Sequence, residues 1–282
     1  MMNKKFALVT GASSGIGLEY ARQLALDYGY SLILVARREN RLSELRINLL
    51  AELESKGIRN EQEIIVLPTD LLSDEQLDQL IYTIRERKIF VDLLVNNAGF
   101  GSLGSFLNTD LTNEFNMVNL NCCVPLKLMR KLLPKMREAK RGSVINICST
   151  CSFQPMPYMA TYGATKAFLF SLTMAIRAEL LAQGLVVFAH CPGPTDSEFH
   201  TVVGLEKKIS WLPGGNTKKV VAQALRAFHG GKPYCITGWL NKFLAVLSNC
   251  LSPTASSSIV KLLLAQYSSN KAPLRRSVGE DQ

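Results

Sequence analysis

Long apolar runs are missing from this sequence. No stretch reaches the 18 or more uncharged apolar residues of a membrane-spanning helix. The best, Trp239 to Leu251, is about 13 long and contains Lys242. The apolar part of MMNKKFALVTG is too short for a secretory h-region and no small-residue cleavage site follows it, so it is expected to be a first strand. A disulfide pattern is missing too. The seven cysteines are odd in number and scattered through apolar segments such as NLNCCVPL and SVINICSTC. That fits buried thiols in a reducing cytoplasm. Acidic residues are fewer than basic ones, 23 against 32, for a net charge of +9. The basic residues nevertheless lie mostly among acidic ones, as in ARRENRLSEL and IRERKIFVD, and only NKAPLRR in the tail is locally basic. A solvated surface explains that better than nucleic-acid binding; attraction to a phosphorylated ligand or anionic lipid is the remaining use of the surplus. Gly and Pro are ordinary in number, which excludes a fibrous or wholly disordered chain. No internal repeat is present.

What remains is 282 residues, 47% hydrophobic, enough for a sizeable core. KFALVT, SLILVA, EIIVLP, VDLLVN, SVINIC, LVVFAH and PYCITG are rich in Val, Ile and Leu without alternation. Strands buried on both faces read this way. Helical stretches separate them at 15–28, 40–56, 73–88, 111–137, 158–183 and 216–229. Ser73 and Asn216-Thr217 read as helix starts, Gly184 and Gly230 as stops. The alternation predicts an α/β fold, a doubly wound parallel seven-stranded sheet in a single domain over residues 1–238. Residues 194–215 break the rhythm with GPTD and PGG, and a loop this long is expected to be a substrate-binding lid. Residues 239–282 are expected to form apolar helices, interrupted at Pro253, and a polar tail from about Ser268.

After the first strand comes TGASSGIG, residues 10–17. Gly11, Gly15 and Gly17 open a helix, with Ser13, Ser14 and Ile16 between them. Glycine lets a pyrophosphate approach bare amides at a helix N-terminus, where the dipole favours negative charge. The spacing is not GxGxxG, so the flanking strand and helix carry much of the inference. The second strand ends LVARREN. An NAD site usually holds an acidic residue there for the ribose 2′-hydroxyl. Arg37 and Arg38 stand there instead, and a guanidinium forks onto phosphate. The expected cofactor is NADP(H), with Arg37 on the 2′-phosphate and Arg38 assisting or paired with Glu39. Further on, TYGATKAF places Tyr162 and Lys166 four residues apart, on one face of a helix.

With NNAGFG at 96–101, Asp70 in PTD, and a serine after the fifth strand, the chain resembles the short-chain dehydrogenase/reductase family over roughly residues 4–238. The resemblance implies a Rossmann fold and hydride transfer between NADP(H) and a ketone or secondary alcohol. Tyr162 would be the general acid/base, its pKa lowered by Lys166 and the oxidised nicotinamide. Lys166 would also bond the nicotinamide ribose. Counting 13 residues back from Tyr162 reaches Ser149, which would hold the substrate oxygen; Thr150 and Ser152 are neighbours. The family's asparagine, which fixes a water in the proton relay, falls on Asn119, with Asn116 and Asn121 close by. Asp70, Asn97, Ala98 and Gly99 would line the cofactor. Pro192, Gly193 and Thr195 would lie along the nicotinamide and its phosphates.

Cys148 and Cys151 depart from the common pattern by making C-x-x-C around Ser149. A dithiol redox site is one reading, a metal site with Cys191 and His190 another, and packed thiols the plain one. An NADPH-sensing binding protein is the non-enzymatic alternative, although a sensor need not keep Ser149, Tyr162 and Lys166 together. Phe100, Phe153, Met156, Tyr158, Phe199 and Trp211 are expected to line an apolar pocket. His200 in the lid reads as exposed, or as touching substrate. His229 reads as a favourable charge at a helix C-terminus. By resemblance, hydroxysteroid dehydrogenases and 3-ketoacyl or 3-ketosphinganine reductases point to a lipid-like ketone. The C-terminal apolar segment points to contact with a membrane surface or partner. The helix over 159–182 is apolar nearly all round, which predicts a subunit interface. By resemblance to the family, this helix and 111–137 would build a dimer or tetramer.

Overall fold

The computed structural model describes residues 4–57, 62–195, 198 and 215–268. Phe199, His200, Trp211 and most of the expected lid lie outside the described residues, as does the tail beyond Ser268. Seven strands are β1 (Phe6–Thr10), β2 (Ser31–Ala36), β3 (Ile64–Pro68), β4 (Val91–Asn96), β5 (Ser143–Ile147), β6 (Val186–Cys191) and β7 (Tyr234–Ile236). They form one parallel sheet in the order β3-β2-β1-β4-β5-β6-β7, a Rossmann-type arrangement. The order reverses between β1 and β4, and a crevice opens there at the carboxyl ends of the strands.

The strands lack alternation because both faces are covered. Ala7 and Val9 of β1 join a core with α1 (Gly15–Leu26) and α2 (Glu39–Ser55). Phe6 and Leu8 point the other way, toward α3 (Asp74–Glu86). Ser73 caps α3 by accepting from the N–H of Gln76, and Asn216 caps α7 (Thr217–His229) through the N–H of Lys219. The stretch read as one helix over 111–137 is two. They are α4 (Leu111–Val118) and α5 (Val124–Glu138), joined by a π-turn over Asn119–Cys123. Pro125 explains the break: it has no N–H to give the carbonyl four residues back, at Asn121.

Tyr162 and Lys166 stand on α6 (Ala160–Leu180). Beyond β7 come α8 (Trp239–Cys250) and α9 (Pro253–Ser268), with Pro253 at the start of the second as its fixed φ favours. His229 stands in the last turn of α7, as expected. Its ring stacks on Tyr28 at 4.3 Å, and burial pulls its pKa below the ordinary value.

Candidate active site

At the end of β1 the chain turns through Gly11 and Gly15, both at positive φ (+65° and +55°), where side chains are strained. Ser14 then stands as the N-cap of α1. Thr10, which sequence inspection passed over, ties this loop to NNAG. Its hydroxyl accepts from the N–H groups of Asn97 and Ala98, at 2.9 and 3.0 Å. Asn97 in turn donates from Nδ2 to the carbonyls of Thr10 and Gly11, at 2.9 and 3.2 Å. A cavity of about 810 Å³ opens above, within the usual range for a small-molecule site. Gly11, Ser13, Ser14, Gly15 and Ile16 line it from the loop; Arg37, Arg38 and Asp70 from the ends of β2 and β3. Asn97, Ala98 and Gly99 line it beyond β4, and Pro192, Gly193 and Thr195 beyond β6. Gly17 does not reach the cavity. A Cβ there would collide with the carbonyl of Gly11, so its part is close packing of helix on loop.

Of the two arginines, Arg38 folds over the loop. Its Nη2 donates to the hydroxyls of Ser13 (2.9 Å) and Ser14 (3.1 Å), and its Nη1 to Glu198 (2.9 Å). Arg37 also lines the cavity.

Ser149 follows β5 and caps the short turn Thr150–Phe153, accepting from the N–H of Cys151 at 3.1 Å. Its hydroxyl lies beside that of Tyr162 and favours the ionised phenol. Lys166 donates from Nζ to the carbonyl of Ile147 at 2.8 Å and stands 5.8 Å from the centre of the Tyr162 ring. All three side chains are buried and line the cavity. The Ser152 hydroxyl donates to the carbonyl of Lys166 at 2.9 Å, fastening α6.

The expected acidification of Tyr162 is not what the side chains produce. Burial, aided by the neighbouring Cys151, pushes its phenol well above the ordinary value, and only the hydroxyl of Ser149 opposes this. Burial also lowers the pKa of Lys166. Both shifts have the same origin, since removing a group from water penalises its charged form.

The asparagines divide their work. Asn119 opens the π-turn, half-buried, and its carbonyl accepts from the N–H of Val124. Asn121 is the one turned inward. Its Oδ1 accepts from the N–H of Phe100, and its Nδ2 donates to the Phe100 carbonyl and the Thr165 hydroxyl. Gly99 sits between Asn121 Oδ1 and Lys166 Nζ, and a Cβ at Gly99 would meet both.

Cys148 does not pair with Cys151. All seven cysteines are free, and Cys148 packs with Cys191 in one buried cluster across β5 and β6. His190 faces away, its Nδ1 lying 3.0 Å from the Tyr20 hydroxyl. Among the described residues no group of His, Cys, Asp and Glu is arranged to hold a metal.

At the substrate end, Phe100 and Met156 line the cavity as expected. Phe153 instead packs edge-on against Phe170 at 4.9 Å, and Tyr158 packs with Leu103 and Met159. The larger apolar wall was missed. Leu244, Ala245, Leu247 and Leu251 line the cavity from α8 and the turn after it, and Ile259, Val260, Leu263 and Leu264 from α9. Their helical spacing was the available signal.

The short chain dehydrogenase family matches residues 5–208. The chain belongs to this family of oxidoreductases. A curated relative, the ketoacyl reductase HetN of Nostoc sp., is 30% identical over 261 residues, covering 93% of this chain and 83% of the relative. The very-long-chain 3-oxoacyl-CoA reductase of Neurospora crassa is 35% identical over 185 residues, 64% of this chain; the match spans 53% of that relative. Among solved structures, a short-chain dehydrogenase from Sphingobium yanoikuyae in complex with NADPH has a TM-score of 0.76 at 27% identity, covering 96% of this chain and all of that one. The bulky-bulky ketone specific alcohol dehydrogenase from Comamonas testosteroni has a TM-score of 0.74 at 28% identity, covering 99% of this chain and all of that one.

Proposed function

We propose that the protein is an NADPH-dependent reductase interconverting an apolar ketone and its secondary alcohol. The observation that carries this is a single cavity joining three parts: the glycine loop under Arg38, the Ser149–Tyr162–Lys166 group, and an apolar wall from α8 and α9. The glycines at positive φ, the serine hydroxyls and the guanidinium make a cradle suited to phosphate. No carboxylate ends β2, and the Sphingobium structure with NADPH supports the same cofactor. The ketoacyl reductase and ketone dehydrogenase relatives support an acyl, sphingoid or steroid-like ketone.

When bound, the reduced dinucleotide would supply hydride to the carbonyl carbon. Ser149 and Tyr162 would hold the carbonyl oxygen between their hydroxyls, and Tyr162 would pass its proton to that oxygen. A phenol with a raised pKa keeps its proton at neutral pH, which suits the donor in reduction. Lys166, anchored on Ile147, would stabilise the charge left on the phenol and bond the nicotinamide ribose. Asn119, at the mouth of the π-turn, and Asn121, beside Gly99, would order the relay water. Exposed Leu111 and Phe115 on α4, and Phe168 on α6, support a homo-oligomer built on those helices. The apolar C-terminal helices support peripheral contact with a membrane.

The test is NADPH oxidation across long-chain 3-oxo compounds and ketosteroids. Turnover with at least one of them, faster with NADPH than NADH, is the expected result. Arg38→Asp should cost about 10- to 100-fold in NADPH affinity and erase the preference. Retained cofactor binding with no turnover on the panel would favour the sensor instead.

A further inference from the structure

The apolar wall of the cavity has an outer face. On α8, Trp239, Phe243, Val246 and Leu247 recur at i, i+4, i+7 and i+8, which makes one stripe. Their exposures are 83, 59, 56 and 45%, and Leu262 on α9 is 80% exposed. Single exposed apolar residues are ordinary on a protein surface, but a stripe shared by two consecutive helices is not. Leu247, Ile259 and Leu263 are partly exposed and line the cavity as well, so its apolar lining runs out to the surface.

The charges on these two helices have one sign. Lys242 and Lys261 are exposed on α8 and α9, and no carboxylate occurs between residues 207 and 279. A two-fold contact of these helices with a second copy would set the lysines against their own images, with no acid on either helix to pair them. An anionic surface pairs them at once. Among the described residues no helix is long and apolar enough to cross a membrane. An apolar stripe, flanking lysines and a tryptophan together describe a helix that lies in the interface.

We propose that α8 and α9 dock on an anionic phospholipid bilayer and that apolar ketones pass from the lipid into the cavity. The docking stands by itself; the loading rests on the reductase reading above.

Vesicle flotation of the full chain tests both. Binding is expected to vesicles of phosphatidylcholine with phosphatidylglycerol, weakened by added salt, and much less to phosphatidylcholine alone. Lys242→Glu with Lys261→Glu should lower partitioning roughly thirty-fold, from about a fivefold factor per lysine. Trp239→Gln, Phe243→Gln and Leu262→Gln together should abolish it. None of these five side chains lines the cavity, so both variants should oxidise NADPH normally with a short soluble ketone, which also shows that they fold. Both should lose turnover of a long-chain ketone presented in anionic vesicles. Wild-type protein that stays off anionic vesicles at low salt would overturn the docking. So would an apolar variant that turns a dimer into a monomer while vesicle binding is unchanged, giving this face to a second copy. Vesicle binding without turnover of any apolar ketone would support the docking and overturn the loading.

Discussion

Tyr20 and Tyr162 are both buried beside a nitrogen base. The Tyr20 hydroxyl lies 3.0 Å from His190 Nδ1 on one side of the sheet; Lys166 Nζ lies 5.8 Å from the Tyr162 ring centre at the carboxyl ends of the strands. Burial raises both phenols and lowers both bases. The difference is access. Tyr162 and Lys166 line the large cavity with Ser149, whereas Tyr20 and His190 do not and sit in or against the core beneath α1. A perturbed pKa thus marks removal from water, which core and active site share. What separates the pairs is an open face and a third hydroxyl converging on it.

The sharpest way to break this comparison is to remove each hydroxyl in turn. Tyr162→Phe should cut NADPH-dependent ketone reduction by about 10²- to 10⁴-fold, the range for a general acid. Tyr20→Phe should leave the turnover rate near that of the wild type. Comparable loss in both, measured at equal folded fraction, would make the two pairs equivalent and undo the functional reading of Tyr162.

Much of this was legible in the sequence because it is local. β1, its glycine turn and α1 are specified by a dozen consecutive residues, and unalternating strands announce a sheet covered on both faces. Tyr162 and Lys166 share a helix face by spacing alone. What stayed hidden depends on groups distant in the chain. Arg38 folds over the glycine loop because Ser13, Ser14 and Glu198 accept from it. Asn121 turns inward because a π-turn resets the helix ahead of Pro125. The wall of α8 and α9 reaches the cavity from more than 70 residues beyond Lys166, and periodicity names an apolar face without naming what it faces.

His190 sharpens the comparison through pH. Burial depresses its pKa to about 3, so the folded state holds a neutral ring where the unfolded chain titrates near 6.5. The unfolded state therefore binds the extra proton first. The stability of the neutral ring is fully present above about pH 6.5 and falls as pH drops toward 3, losing about 2 kcal/mol by pH 5. Denaturant unfolding at several pH values would read this, and His190→Gln should flatten the slope. A slope unchanged by that substitution would place the acid sensitivity elsewhere.

Tyr20→Phe should act differently from His190→Gln. It removes the one partner of Nδ1 in a ring whose Nε2 has none among the described residues. The expected cost is of order 1 kcal/mol at neutral pH. The acid slope should survive, because burial alone depresses the histidine. If the slope vanished with the hydroxyl, the hydrogen bond would be setting the titration.

The smallest expected effect is on the rate of reduction. Were Lys166 to acidify Tyr162 to near neutrality, the proton donor would be lost through the neutral range and the rate would fall with it. A phenol held above its ordinary value stays protonated, so kcat for reduction should be level from roughly pH 6 to pH 9. Oxidation of the alcohol needs the phenolate and should rise across the same range. The two directions measured on one substrate would separate a tyrosine governed by burial from one governed by its lysine.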